Sequence, residues 1–389
     1  MTRLELAKNI AQENFNNLLL NAVPRIGKSI ICTELFKKWE GKILILSSND
    51  LTNKQWIQNL KQYNPDLLPR IDIFCYQSLH KVNSANYDII VCDEWETALS
   101  TKRFNQLQIF KPAHWIAMSG SMQDDDIFYF RLLTNNKFRY IKITLEEAVK
   151  MGIISQPTFY KINLKFDANT RNLTFSKGKN ISKKNNIVDY DNRWESLTNK
   201  TVNTIIKCNE QEYNSLLEEE IQFYKSSWEQ DKTQLNKTKY LKKGNERKSF
   251  YAKIKSKYFR KLFSLLPEKS RCLIFCNNIE QAELLNYEFS IHSKKISQDN
   301  LIDLFNNKEI PYLFSVGMLN RGIDFNDVDY IIIIQTSGNN NENLQQIGRS
   351  FLSKNPKIIL MCFENCQDEY YVTKLLNTYP KQWVVTKNL

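Results

Sequence analysis

The chain has 389 residues, which is enough for two domains of ordinary size, each with its own core. Hydrophobic residues make up 42% and charged residues 25%, the composition of a soluble globular protein. No apolar run approaches the ~18–20 residues of a membrane span, and the first residues lack a signal-peptide stretch, so we expect a cytoplasmic protein without a membrane partner. The net charge of +12 favours a polyanionic partner, nucleic acid first.

Two segments alternate apolar strands with helical stretches, which predicts parallel sheets covered on both faces. In the first segment, 1–150, the predicted strands are 17–23, 42–48, 71–79, 87–92 and 114–118, and the helices are 28–39 and 51–63. In the second, 266–389, the strands are 271–276, 312–316, 330–335 and 357–362, and a helix covers 279–289. The pattern therefore predicts two α/β lobes.

A phosphate loop is predicted where the first strand meets the first helix. The residues there are Ala22-Val23-Pro24-Arg25-Ile26-Gly27-Lys28-Ser29. Backbone N–H groups at a helix N-terminus can cradle phosphates, Lys28 can neutralise them, and the Ser29 hydroxyl can ligate Mg²⁺. Ala22 replaces the usual first glycine, and Arg25 stands where another glycine is common. We expect Ala22, Pro24, Arg25, Gly27, Lys28 and Ser29 to bind the nucleotide.

Paired carboxylates follow the strand 87–92. Asp93 and Glu94 are expected to face the same crevice as the phosphate loop, since both motifs follow parallel strands. Asp93 would then hold Mg²⁺ through water, and Glu94 would act as the general base toward the attacking water. The alternative is an acidic surface turn. Ser119-Gly120-Ser121, which closes another strand, could link the nucleotide state to the rest of the lobe.

The region between the lobes, 151–265, is predicted to be a linker and a basic, partly helical insertion. Residues 231–260 contain 11 Lys or Arg against two acids, interleaved with aromatic residues. This composition suits phosphate contact and base stacking, and we expect Lys253, Lys255 and Lys257 to contact nucleic acid. The alternative is a solvated helix whose aromatics pack on the second lobe.

Eight scattered cysteines leave two interpretations open. Cys272 and Cys276 share their spacing with Cys362 and Cys366, so a four-thiolate metal site is conceivable. Buried reduced thiols are the alternative that we favour, because free cysteine behaves as a small core hydrophobe.

Further motifs give the chain a family resemblance. Beside the phosphate loop, Asp93-Glu94 and Ser119-Gly120-Ser121, the second lobe has Arg271–Asn277, Arg321-Gly322-Ile323-Asp324 and Gln345-Gln346-Ile347-Gly348-Arg349, which resemble motifs IV, V and VI of the superfamily 2 helicases and translocases. The resemblance covers roughly 17–165 and 268–375. Residues 144–154, 291–295 and 318–322 look similar to phage-type helicases of the UvsW kind and to type I restriction motor subunits, which would imply a host cytoplasm.

The resemblance implies two tandem RecA-like lobes with ATP and Mg²⁺ between them. Asp324 is expected to reach the ribose, Gly322 to allow close backbone approach, and Gln346 and Arg349 to contact the nucleotide, with Arg349 as an arginine finger. Motif VI usually ends in another arginine, where this chain has Leu352. Nucleic acid is expected to cross both lobes away from ATP, at Ser48, Gln77, Ser78, Asn277, Ser293 and Lys294.

We therefore expect an ATP-dependent helicase or translocase, with DNA favoured over RNA. It would move on or remodel duplex or branched DNA in replication, recombination or repair. A nucleic-acid-binding scaffold with a nucleotide switch and little turnover is the alternative, suggested by Leu352. A packaging motor is a weaker rival, because the cluster of nuclease carboxylates that it would need after the first lobe is not seen.

Overall fold

The computed structural model describes residues 1–188, 193–286, 288–292, 298–317, 325 and 327–389. The chain divides into two compact units. One unit comprises 1–163 and 255–389, and the other comprises 164–254. No helix in the described ranges is both long enough and apolar enough to cross a bilayer.

The first lobe has six strands in the order β3-β2-β4-β5-β1-β6. Its elements are α1 (Arg3–Gln12), β1 (Leu18–Ala22), α2 (Lys28–Lys38), β2 (Ile43–Ser47), α3 (Asp50–Tyr63), β3 (Ile71–Cys75), β4 (Ile89–Asp93), α4 (Thr101–Leu107), β5 (His114–Ser119), α5 (Asp124–Thr134), β6 (Arg139–Ile143) and α6 (Leu145–Lys150). Its strand pairs run parallel. Because β4, β5 and β1 are neighbours, the phosphate loop, the paired carboxylates and the Ser-Gly-Ser turn emerge at one edge of the sheet.

The central strands are buried on both faces. Every residue of β1 and β2 is buried, as are the first four residues of β4. This is why these segments read as nearly continuous apolar runs instead of alternating patterns. The resulting core holds the strand ends, and with them the site residues, in fixed positions.

Within the described ranges, the second lobe has seven strands in the order β11-β12-β10-β13-β14-β7-β15. Its elements are β7 (Thr158–Leu164), β10 (Cys272–Phe275), α9 (Ile279–Asn286), β11 (Ser290–Ile291), α10 (Gln298–Asn306), β12 (Tyr312–Ser315), β13 (Tyr330–Ile333), α11 (Asn340–Ile347), β14 (Lys357–Phe363), α12 (Gln367–Leu376) and β15 (Val384–Asn388). Strand β7 lies within the segment predicted as the insertion, yet it pairs in parallel with β15. The linker from the first lobe therefore leads directly into the second sheet.

The unit 164–254 contains a hairpin of strands and most of a hairpin of helices. Strands β8 (Leu173–Val188) and β9 (Arg193–Cys208) are antiparallel. Helices α7 (Glu210–Gln230) and α8 (Gln234–Phe263) follow, and the second continues beyond the unit. Arg247 donates two hydrogen bonds to the Glu218 carboxylate at 2.7 and 2.8 Å, and Tyr251 donates to Asn214 at 2.7 Å. These contacts set the two helices side by side in opposite directions.

The predicted α/β lobes are confirmed, with strand ends within a few residues of the predicted ones. The stretch 71–79 is an exception in part, since the strand ends at Cys75 and a 3₁₀ helix covers Tyr76–Lys81. The sequence patterns gave no sign of β6, β7, β11, β15 or the β8–β9 hairpin. These segments are polar, short or half-buried, so they lack the apolar run on which the strand predictions depended.

Candidate functional site

The phosphate loop joins β1 to α2. Gly27 precedes the first residue of α2 with a φ of +99°, a left-handed conformation that glycine adopts without a steric cost. Lys28 donates from Nζ to the Ala22 carbonyl at 3.0 Å. Burial lowers the pKa of Lys28, while the nearby Asp93 and Glu94 carboxylates act in the opposite direction. The half-buried ammonium thus lies near the paired acids.

Arg25 occupies the middle of this loop with a φ of +71°. A non-glycine residue in the left-handed region costs roughly 1–2 kcal/mol, so the surrounding structure must hold it there. Burial lowers the pKa of Arg25 well below its ordinary value, and the positive charges of Arg349 and Arg3 lower it further. Three guanidinium groups therefore lie near one another beside the loop.

Asp93 and Glu94 lie at the end of β4, opposite the loop. The Trp56 indole donates from Nε1 to Asp93 Oδ2 at 3.0 Å. Burial raises the pKa of Asp93 to about 6, and the neighbouring Glu94 contributes in the same direction. Glu94 has a φ of +54°, a second strained conformation at this edge of the sheet.

The second lobe reaches the same place through α11 and the turn that follows. Gln345 donates from Nε2 to Glu94 Oε2 at 3.1 Å, which connects motif VI directly to the paired acids. Gly348 packs against the phosphate loop, because a Cβ added there would lie 2.6 Å from Pro24 Cβ. Burial lowers the pKa of Arg349 to about 10, and the Glu94 carboxylate opposes that shift.

These groups surround a cavity of about 560 Å³. Its walls include cations, carboxylates and hydroxyls from both lobes: Arg3, Arg25, Lys28, Ser29, Asp93, Glu94, Ser119, Ser121, Gln345 and Arg349. Positive charges that lie close enough to repel one another suit a polyanion such as a nucleoside triphosphate. Mg²⁺ binds proteins through one or two carboxylates and keeps phosphate and water ligands, so Ser29 and Asp93 are a suitable donor set.

Some predicted nucleotide contacts do not line this cavity. Gln346 is buried at 8% exposure and is absent from the wall, where its neighbour Gln345 is present. The turn of α11 explains this, because adjacent helical residues point about 100° apart. Ala22 offers its carbonyl to Lys28 and does not line the cavity either. Gly322 and Asp324 lie outside the described residues.

The predicted nucleic-acid residues of the first lobe come together. Gln77 donates from Nε2 to the Ser48 carbonyl at 3.4 Å, which joins the ends of β2 and β3. Gln77 is exposed, whereas Ser78 is half-buried and Ser48 is buried. In the second lobe Asn277 follows β10 and is half-buried. Ser293 and Lys294 lie outside the described residues.

Lys255 needs a correction. Its side chain is 0% exposed, and its Nζ lies 2.7 Å from an Asp368 carboxylate oxygen. The ammonium also donates to the Met361 carbonyl at 2.7 Å and to Gln335 at 3.1 Å. It is therefore an internal ion pair of the second lobe and cannot reach a phosphate. In the sequence Lys255 stands between Lys253 and Lys257, so the sequence alone does not show that its side chain points into the core.

Three aromatic residues of this basic segment, Phe250, Tyr251 and Phe259, are also packed inside. Phe250 and Tyr251 are buried at 8% and 1% exposure, so they are not free to stack on bases. Phe259 packs edge to face with Phe314 of the second lobe, as the alternative interpretation expected. Five of the exposed cations of α8 recur every three, four or eleven residues along one face: Lys239, Lys242, Lys253, Lys257 and Arg260. We call these five residues the α8 cationic face.

The cysteines are reduced, and among the described residues no His, Cys, Asp or Glu side chains form a group able to hold a metal ion. Cys272, Cys276 and Cys362 are buried in the core. Burial raises the pKa of Cys272 to about 12. The described part of the chain therefore supports buried thiols and not a four-thiolate centre.

Three residues at the site were missed at the sequence level: Arg3, Trp56 and Gln345. Arg3 begins α1, and a Cβ added at Gly27 would lie 3.2 Å from Arg3 Cβ. Trp56 reads as an ordinary core residue of an amphipathic helix. The sequence could have indicated Gln345, because this residue stands three positions before Gly348. It is therefore one helical turn away, on the face toward the first lobe.

Comparison with known proteins supports a helicase fold. Residues 254–351 match the family described as the helicase conserved C-terminal domain. The chain is similar to the Pyrococcus furiosus Hef helicase domain, with a TM-score of 0.50, 11% identity and coverage of 95% of this chain and 97% of that one. It is also similar to S. cerevisiae Dbp5 bound to RNA and ADP BeF3, with a TM-score of 0.56, 12% identity and coverage of 99% and 89%. A comparison with curated protein sequences gives no match.

Proposed function

We propose that the chain is a superfamily 2 helicase that couples ATP hydrolysis to movement on DNA. The observation that carries the proposal is the single cavity in which Lys28, Asp93 and Glu94 of one lobe meet Gln345 and Arg349 of the other. A binding module needs no general base beside its phosphates, whereas a hydrolase does.

Each group has a role that its position supports. Lys28 and Arg349 would bind phosphate oxygens and stabilise the charge that grows on them during hydrolysis. Glu94 would orient the attacking water and accept its proton, with Gln345 holding the carboxylate by the hydrogen bond already described. Ser29 and Asp93 would hold Mg²⁺, which neutralises charge on the phosphates when it is bound.

Movement would follow from the way in which the two lobes share the site. Gln345 and Glu94, and likewise Gly348 and Pro24, touch across the cleft. Bound ATP would favour this closed arrangement, because its phosphates contact cations from both lobes. Release of phosphate removes that differential affinity, so the equilibrium shifts toward separated lobes.

The nucleic-acid path is proposed to include Ser48, Gln77 and Ser78 in the first lobe and Asn277 in the second. The α8 cationic face supplies further phosphate contacts. Of the three lysines predicted from the sequence to contact nucleic acid, Lys253 and Lys257 belong to this face. Contacts of this kind depend on charge and shape, so binding should depend strongly on salt and weakly on sequence. DNA is proposed as the substrate on the resemblance to phage-type helicases, with roles in replication, recombination or repair.

Leu352 supports a second candidate, a nucleic-acid-binding scaffold whose nucleotide acts as a switch with little turnover. It stands where motif VI usually ends in an arginine, and it lines the cavity. Turnover separates the two candidates, because a motor must release phosphate continuously when its track is present.

The decisive measurement is phosphate release with forked duplex DNA, four-way junction DNA, single-stranded DNA and RNA, each across a range of salt. We expect stimulation by at least one DNA substrate, and loss of turnover in Lys28→Ala and Glu94→Gln. Lys61→Ala, an exposed lysine of α3, is the matched control. Turnover that is unchanged in Lys28→Ala and Glu94→Gln would exclude the motor. Stimulation by RNA alone would reassign the substrate, and binding without turnover would favour the scaffold.

A further inference from the structure

Two of the positions at which the chain departs from the motor pattern face the same cavity. Leu352 replaces an arginine at the end of motif VI, and Arg25 replaces a glycine in the phosphate loop. Both residues line the cavity that contains Lys28 and Arg349. Relative to the motor pattern, the chain lacks a positive charge at position 352 and has an additional one at position 25.

The contact between the lobes brings Arg25 to the motif VI side of the cavity. Pro24 lies against Gly348, close enough that a methyl group at 348 would be 2.6 Å from Pro24 Cβ. Arg25 directly follows Pro24, and Arg349 directly follows Gly348. The two guanidinium groups therefore start from neighbouring points of the backbone, on opposite sides of the cleft.

The backbone of Arg25 is held in a conformation that glycine would adopt without cost. Its φ of +71° is the left-handed region, in which an L side chain is disfavoured. Replacing glycine by arginine here adds strain and places a charge beside Arg3 and Arg349. The positive charges of Arg3, Arg25 and Arg349 repel one another, and a polyanion lying among them would be attracted to all three.

We propose that Arg25 contacts the γ-phosphate of ATP and supplies, from the phosphate loop, the positive charge that motif VI usually supplies from position 352. The inference rests on the proposed ATP site and deepens it. The γ-phosphate is the target because the phosphate loop and the motif VI turn meet at Pro24 and Gly348, next to Arg349. A charge-assisted hydrogen bond at that point would be present with ATP and lost with ADP.

The test compares Arg25→Gly with the unaltered chain, since glycine matches the φ at this position and should fold equally well. Dissociation constants are measured, with Mg²⁺ present, for ADP and for an ATP analogue with an imido bridge between its β- and γ-phosphates. We expect the analogue to bind roughly 10- to 100-fold more weakly in Arg25→Gly, and ADP to change by less than about threefold. Arg25→Lys should lie between the two. Equal weakening for both ligands, or none, would overturn the proposal.

A second variant tests whether the two positions share a role. Leu352→Arg, introduced into the Arg25→Gly chain, should recover most of the affinity for the ATP analogue and most of kcat. If affinity and kcat stay low, Arg25 does not replace the missing arginine. Lys28→Ala distinguishes a failure of this inference from a failure of the proposed function. If Lys28→Ala abolishes nucleotide binding while Arg25→Gly changes nothing, the ATP site stands and only the inference about Arg25 fails.

Discussion

Gly348 offers the sharpest test of the closed cleft. In Gly348→Ala the new Cβ would lie 2.6 Å from Cβ and 2.9 Å from Cγ of Pro24. Carbon atoms prefer about 3.5–4.0 Å, so the lobes must separate locally by on the order of 1 Å. A displacement of that size at a reacting site can cost about 100-fold in rate. We expect kcat for ATP to fall by about that factor, measured as DNA-stimulated phosphate release.

Two further variants make this prediction specific. Pro24→Gly removes both contacting carbons, so the double variant should recover at least about tenfold of the lost kcat. Gly120→Ala is the matched control in the same cleft, since its Cβ would meet Pro24 Cδ at an ordinary 3.5 Å. A kcat for Gly348→Ala within twofold of the parent would refute the reasoning. A double variant no faster than Gly348→Ala would show that the clash is not the cause.

Three other predictions follow from the contacts described. Lys255→Met should lower the free energy of unfolding by about 3–5 kcal/mol in chemical denaturation, because it leaves a buried carboxylate uncompensated, whereas the exposed Lys253→Met should change it little. Neutralising Lys253 and Lys257 together should reduce the slope of log affinity against log salt by up to about 2, and an unchanged slope would place the α8 cationic face away from DNA. Gln345→Ala should lower kcat by about tenfold or more while Gln346→Ala has a smaller effect, and the reverse order would contradict the assigned orientations of these two side chains.

The lobes were predictable because their central strands are buried on both faces. Segments such as Leu18–Ala22 and Ile43–Ser47 are therefore mostly apolar, and they leave a clear signal. The phosphate loop and the paired acids were predictable for a related reason, since each follows such a strand. The strand Thr158–Leu164 left no such signal, because it mixes buried and half-buried positions next to a polar insertion.

The errors concern the direction in which a side chain points. Lys255 lies among cations in the sequence, yet the helix turns it into the core toward Asp368. Gln346 and Gln345 are adjacent and chemically identical, so only the helical phase decides which one meets Glu94. The sequence alone shows only that Arg25 stands where a glycine is common in the phosphate loop. Its place beside Arg349 could not be found without the packing of Pro24 on Gly348.

The parallel pairing of β7 with β15 has a consequence for biosynthesis. Phe159 aligns with Val384. Strand β7 is an inner strand of the second sheet, and its partner β15 is synthesised only after the insertion and the rest of the lobe. At a translation rate of roughly 5–20 residues per second, the backbone groups on that side of β7 stay unpaired for on the order of ten seconds or more. An unpaired apolar strand edge can pair with other chains. We expect newly made chains to depend on chaperones during this interval, and truncation before β15 to give aggregation in place of a folded second lobe.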